Sequence, residues 1–212
     1  MRVIRRYVVF IFIVMLASCA TPHYMHIYES PKGLDFTTGK WLVTNVEGKL
    51  PYAYREGLNR DLWKGFQKLR GDSIYSINEV SLKYLSHDKL SFELSPMVLE
   101  TLKKTTDYDY VVTAIARKVR DDVPDLVYPE TPVSYQKSES EVCIAVYDVS
   151  LGARVYFQRV TASVTLDMGD EKVVFGRSAG NLLYNALAKG LKDLKKNSRK
   201  ISKISRNFSK GN

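Results

Sequence analysis

The residues of this chain that most resemble chemistry are Gly176-Arg177-Ser178-Ala179-Gly180, a G-x-S-x-G pattern set between a strand-like run and a helix-like run. In a serine hydrolase, small residues around the serine let the backbone bend sharply and push the hydroxyl outward as a nucleophile. A serine hydroxyl attacks at neutral pH only when an imidazole takes its proton and an acid orients that imidazole. The chain has 3 His, at positions 23, 26 and 87, all of them before Ser178, and the one acid that follows Ser178 is Asp193. His87 stands in a polar turn beside Asp88, and Lys172 and Lys189 flank the motif with nothing in the sequence to strip their protons. A serine at this place is also a good helix N-cap, worth about 1 kcal/mol over alanine. The apolar face of the following helix opens four residues on, at Leu182. The expectation is therefore no catalytic residue, with Ser178 the candidate should the protein be a hydrolase.

The second nucleophile is Cys19. The chain begins MRVIRRYVVFIFIVMLASCATP, in which Arg2, Arg5 and Arg6 precede an apolar run of ten residues from Tyr7 to Leu16. Such a run is too short for a bilayer-spanning helix, which needs about 20 residues, and reads as an export signal. Leu16-Ala17-Ser18-Cys19 resembles the lipobox of bacterial lipoproteins. That resemblance implies cleavage before Cys19, a diacylglycerol on its thiol, palmitate on the new N-terminus, and a protein anchored by lipid. Ala20, where sorting for inner-membrane retention uses Asp, points to the outer membrane with the domain facing the periplasm. The other of the 2 Cys, Cys143, lies in the apolar run VCIAVY and is left as a buried free thiol.

The formal charge of +9 is unevenly placed. Residues 189–212 carry nine Lys or Arg and one acid, a net +8, and three Arg leave with the signal, so residues 19–188 hold a net −2. Lys195, Lys196, Arg199, Lys200, Lys203 and Arg206, with Ile201, Ile204 and Phe208 among them, form a basic segment suited to anionic lipid or polysaccharide. Nucleic acid would satisfy the same electrostatics, but an exported protein is not placed to meet it. No cofactor or metal is expected. His23 and His26, a lone pair at i, i+3, make a poor metal site, Asp121, Asp122 and Asp125 lack the spacing of an EF-hand loop, and Asp167, Asp170 and Glu171 around Gly169 read as a turn. Among the 14 Tyr, Tyr52, Tyr54, Tyr108 and Tyr110 are candidates for a binding surface, although sheet packing explains them more simply.

The elements that must carry these residues follow from periodicity. Residues 1–18 are the signal peptide, 19–39 a lipidated tether with proline and glycine breaks, 40–196 one periplasmic domain, and 197–212 the basic tail. WLVTNV is a strand; Leu58, Leu62, Phe66 and Leu69 stripe a helix over residues 54–70; SIYSINEV is a second strand. Ser95-Pro96 opens another helix. YDYVVTAIARKV is a buried strand, and EVCIAVYDVSLGARVYFQRVTASVTL is a hairpin turning at Gly152. Leu182, Leu183, Ala186, Leu187, Leu191 and Leu194 share one face of a closing helix. The order β-α-β-α-β-β-β-α predicts an α/β (α+β) domain with a single mixed sheet of about five strands backed by two to three helices.

The strand and long helix, the YDYVV strand, the YDVSLGARVYF hairpin and the closing AxxLxxALAKGLxxL helix together resemble the periplasmic α/β domains of three groups. These are the penicillin-binding-protein activator lipoproteins, the curli-secretion lipoproteins and the N-terminal domain of the TolB translocation protein. The resemblance spans residues 41–194 and implies a non-enzymatic scaffold or regulator that binds other envelope proteins. The alternatives are a serine hydrolase using Ser178 and a binder of envelope polymers through the basic tail.

Overall fold

A computed structural model describes residues 21–29, 31–80, 82, 85–86, 89–121, 135–167 and 178–199. The signal peptide, Cys19, His87 and Asp88, Asp122 and Asp125, residues 168–177 and Lys200, Lys203 and Arg206 lie outside them. In chain order the elements are β1 His23–Glu29, β2 Trp41–Glu47, α1 Tyr52–Arg70, a 3-10 turn Gly71–Ser73, β3 Ile74–Ser76, α2 Pro96–Thr105, β4 Tyr110–Asp121, β5 Tyr135–Asp148, β6 Ala153–Asp167 and α3 Ala179–Asn197. They build one mixed sheet of six strands in the order β1-β6-β5-β4-β2-β3. β2 runs parallel to β3 and β4, and the remaining neighbours are antiparallel. The expected α+β class holds, and the sixth strand is β1.

Alternation along the strands sends one residue set to each face. Val112, Ala114 and Ala116 of β4, Val142, Ile144 and Val146 of β5 and Val160, Ala162 and Val164 of β6 meet Leu58, Leu62 and Phe66 of α1 and Leu182, Leu183, Ala186 and Leu187 of α3. At the centre of this layer Trp41 is fully buried, its ring 4.5 Å from Phe36 and 4.3 Å from Tyr110. The two helices interlock through small residues. A Cβ on Gly57 would lie 2.3 Å from the Tyr184 hydroxyl, and one on Gly180 would lie 2.5 Å from the Tyr54 ring, so each tyrosine fills the gap left by the other helix's glycine.

The opposite face is covered only in part. Leu42, Val111, Ala145 and Tyr147 are buried beneath Ile77, Leu85, Leu90, Phe92 and Leu94 of the segment after β3 and beneath Leu99 and Leu102 of α2. That cover is pinned at one carbonyl: Phe92 O accepts from Thr113 Oγ1 at 2.8 Å and from Tyr147 Oη at 3.1 Å. Both hydroxyls are buried, and this shared acceptor satisfies them where water cannot.

Local signals account for most boundaries. Ser95 Oγ accepts from Val98 N at 3.4 Å and caps α2, with Pro96 in the first turn. Gly152 takes φ 65° in the β5–β6 turn, where Asp148 Oδ1 accepts from Leu151 N at 2.9 Å. The strand expected over SIYSINEV is only Ile74–Ser76, because the chain turns at residues 77–79.

The tether over residues 19–39 is not what the described part of that segment forms. β1 pairs with β6 along its whole length, from His23 opposite Ser163 to Glu29 opposite Phe157. Farther on, Arg199 N donates to Leu34 O at 3.0 Å and Phe36 N donates to Arg199 O at 3.1 Å, while Leu34 N donates to Ser198 Oγ at 2.9 Å. Phe36 is fully buried. Segment 33–36 is thus strapped to the end of α3, and Ser198 and Arg199, expected in the basic tail, belong to the folded body.

Candidate functional site

Two constellations stand out, one on each side of β1. On the face opposite α1 and α3, α2 and its neighbouring loop stop short and leave part of the sheet open as a shallow cleft of about 660 Å³. Its floor is Ile115 of β4, Cys143 of β5 and Phe157 of β6, continued by Ile27 of β1. Register places Ile115, Cys143, Arg159 and Ile27 side by side on four successive strands. The Glu141 carboxylate, with a side chain 17% exposed, sits between two guanidiniums: Arg117 Nη1 at 3.9 Å and Arg159 Nε at 3.4 Å. Arg154 Nη2 donates to both Glu29 carboxylate oxygens, at 2.8 and 3.1 Å, and the guanidinium lies 5.0 Å from the Phe157 ring centre. The cleft's charges are therefore largely answered within the cleft.

Cys143 is 3% exposed and free. Burial, helped by the Glu141 charge, pushes its thiol up to about 11, which favours the protonated thiol at neutral pH.

β1 is the element that the sequence conceals, and its alternation is inverted. Tyr24, His26 and Tyr28 turn toward the helix layer, while Met25 and Ile27, 50% and 42% exposed, turn toward the open face. The inward set is accommodated by a polar network. Gln158 of β6, fully buried, accepts from Tyr156 Oη at 2.8 Å and donates to Tyr28 Oη at 3.4 Å, and its amide lies 3.3 Å from His26 Nδ1. Tyr28 in turn donates to the Asp193 carboxylate of α3. Asp193 and His26, which sequence reading kept apart, are thus joined through a tyrosine, and the bonds hold β1 to the body.

Burial, followed by the Asp193 hydrogen bond and charge, pushes Tyr28 up to about 12. Burial also raises Tyr156. A tyrosine whose folded pKa lies above its ordinary value of about 10 contributes stability fully present below pH 10 and lost as pH rises toward the folded value. Urea midpoints should therefore fall between about pH 10 and about pH 12, and Tyr28→Phe should flatten that fall. An unchanged pH slope in the variant would show that Tyr28 titrates as it does in the unfolded chain.

Ser178 occupies the N-cap position of α3 with φ −59° and ψ 156°, but its hydroxyl makes no capping bond and its Oγ is shielded from solvent. The cap comes from another element: Asp121 Oδ1, at the end of β4, accepts from Ala179 N at 2.8 Å. A carboxylate answers the positive end of the helix more strongly than a hydroxyl can. The expected serine cap is corrected accordingly, and Asp121, weighed in sequence as a calcium ligand, is occupied by the helix and by Lys118 at 2.9 Å. Asp121→Ala should cost about 1 kcal/mol of stability by chemical denaturation.

Of the other candidates, Lys195 and Lys196 lie exposed on the last turns of α3, and the Arg199 side chain reaches Asp35 at 4.0 Å. Tyr110 stacks on Trp41, Tyr54 packs near Tyr184, Tyr108 meets Tyr75 edge to face, and Tyr52 is exposed. The four tyrosines form no common surface patch. Among the described residues no three His, Cys, Asp or Glu gather as a metal site would require, and no helix is long and apolar enough to cross a membrane. Sequence reading missed Arg117, Glu141, Arg159, Met25 and Ile27. The available signal was charge inside apolar strands, as in FQRVT, but partners on three strands are joined only by register.

No family model and no curated protein matches the sequence. Solved structures are similar in outline. The PelC dodecamer of Paraburkholderia phytofirmans aligns at 16% identity over 82% of this chain and 98% of that one, with a TM-score of 0.42. A Helicobacter pylori protein provisionally described as a neuraminyllactose-binding hemagglutinin homolog aligns at 10% identity over 82% and 88%, with a TM-score of 0.44. A Caulobacter crescentus protein provisionally described as a lipoprotein aligns at 13% identity over 74% and 81%, with a TM-score of 0.26. At these identities and TM-scores neither activity nor assembly transfers to this chain.

Proposed function

We propose that the chain is an exported, lipid-anchored protein of the bacterial envelope, carried by the outer membrane on the periplasmic side, that acts without catalysis by binding another envelope protein on the open part of its sheet. The observation that carries this reading is the inverted strand β1, which turns Met25 and Ile27 outward beside the cleft. Folding alone favours the opposite arrangement, since apolar side chains gain by facing the core. An apolar strip bordered by arginines is the composition of a protein interface, with a dry centre and a polar rim. Because Arg117, Arg154 and Arg159 face Glu29, Glu47, Glu93 and Glu141 around the cleft, it has little net charge to select an ion, and its apolar floor is what it offers a partner. The fitting ligand is a polypeptide surface that presents an apolar side chain between charged ones.

The test is photo-crosslinking in cells with a benzophenone amino acid at Ile27, compared with the same group at exposed Glu56 on α1. A discrete adduct from Ile27, absent from Glu56 and lost on Met25→Glu, supports the assignment. Equal or absent adducts at the two positions reject it. Labelling of Ser178 by a fluorophosphonate would overturn the non-catalytic reading, and palmitate incorporation that survives Cys19→Ala would overturn the anchor.

A further inference from the structure

We infer that the flank made by β1 and α3 is the side of the domain held against the membrane, with Lys189, Lys192 and Lys196 meeting the anionic phospholipid headgroups of the bilayer. The inference rests on the lipid anchor proposed above and adds an orientation and a binding surface to it. Two independent features bring it about, one of chain length and one of charge.

The first is the length of chain between the anchor and the fold. A tether of some twenty residues would let the domain tumble freely, but β1 begins at His23, four residues after Cys19. At about 3.3–3.6 Å per extended residue those steps span about 14 Å at most. The acylated cysteine is thus confined close to the start of an edge strand that is itself bonded along its length to β6 and fastened to α3 through Tyr28 and Asp193.

The second is the charge that lies within that reach. Lys189, Lys192 and Lys196 recur at i, i+3 and i+7 on α3, a single helical stripe, and all three are exposed. Together with Lys195 they surround His26 and Asp193 in a shallow basin beside β1. The Lys189 ammonium lies 5.1 Å from the centre of the Tyr24 ring, one residue from the first residue of β1, so the stripe starts where the leash ends. Asp193, the acid within the stripe, is engaged by Tyr28 and by Asn197 Nδ2 at 3.2 Å. The Debye length at physiological salt is about 8 Å. A leash of at most about 14 Å lets these cations approach an anionic surface to within that distance, where they are attracted to it, and the attraction sets which flank turns inward. The result is a domain lying with the β1 edge toward the lipid and the cleft along its side, open to a partner within the periplasm.

The test uses the full acylated protein in vesicles of phosphatidylethanolamine and phosphatidylglycerol, with phosphatidylcholine vesicles as the neutral reference. A water-soluble amine reagent reports the exposure of each lysine by mass spectrometry. Labelling of Lys189, Lys192 and Lys196 is expected to fall at least fivefold on the anionic vesicles and to recover in high salt, with Lys64 on α1 and Lys104 on α2 unchanged. Equal labelling on the two vesicle types, or equal protection of Lys104, overturns the orientation. A K189E/K192E/K196E variant, its fold checked by circular dichroism, should lose the difference between lipids; if it keeps it, these lysines are not the contact. Palmitate labelling separates the two readings. If Cys19 carries no lipid the anchor falls, and the flank is then judged by cosedimentation of the unacylated chain with anionic vesicles, which must be salt-sensitive and lost in the triple variant.

Discussion

Trp41→Ala should lower the unfolding free energy by about 3–5 kcal/mol, the range for removing a large aromatic from a closed core. The indole is fully buried and touches three other rings: Phe36 at 4.5 Å, Tyr110 at 4.3 Å and Phe66 at 6.4 Å. Those rings come from the N-terminal segment, β4 and α1, so the cavity would open at a point where separate parts of the chain converge. Its Nε1 donates to Thr38 O at 3.2 Å, which ties the indole to the segment that carries Phe36. Since domains of this size are stable by only about 5–15 kcal/mol, the variant should lie near the folding threshold. Urea denaturation followed by far-ultraviolet circular dichroism measures the change. A loss below about 1 kcal/mol would mean that the rings collapse onto the vacancy and that the site is not closed.

Removing residues 21–29 from the mature chain should destabilise it by an amount on the order of 3 kcal/mol, although by sequence that segment reads as a tether whose loss would cost nothing. The deletion strips the outer edge from β6 and takes away Tyr28, which accepts from Gln158 and donates to Asp193. Gln158, fully buried, would then keep its bond from Tyr156 but lose partners for its amide N–H groups. An unanswered buried donor costs about 1–3 kcal/mol, and the lost apolar cover of Tyr24 adds to it. The check compares denaturation midpoints of the two purified chains. Midpoints equal within error would return the segment to the status of a tether and remove the basis for a short leash at the membrane.

Where the pattern of apolar residues and the packing agree, the sequence was legible. The stripe Leu58, Leu62, Phe66 and Leu69, the Ser95-Pro96 start of α2, the hairpin at Gly152 and the leucine face of α3 all lie as periodicity and local backbone preferences require. Each is decided within a few residues, by side-chain spacing or by a turn that only certain residues adopt. The outcome at Ser178 was half legible: the position is a helix start, but the capping oxygen comes from Asp121, 58 residues earlier in the chain. No local rule can see a partner at that distance.

β1 and the cleft belong to the other category. HYMHIYE places its apolar residues on the face that the fold leaves open and its polar-tipped ones inward, so an alternation rule that equates apolar with buried reads it backwards. It is a strand because β6 offers an edge and because Gln158 and Asp193 satisfy the tyrosines that turn inward. Glu141 likewise meets Arg117 and Arg159 only because strand register aligns three segments distant in the chain. By itself, then, the sequence determined the α+β class and most of the elements, since each depends on short-range spacing; the export signal and the lipidated Cys19 are what its resemblance to a lipobox implies. Tertiary structure alone decided where the sheet stays bare, which carboxylate caps α3 and how close the fold begins to Cys19, because these depend on pairings between residues that the chain keeps far apart.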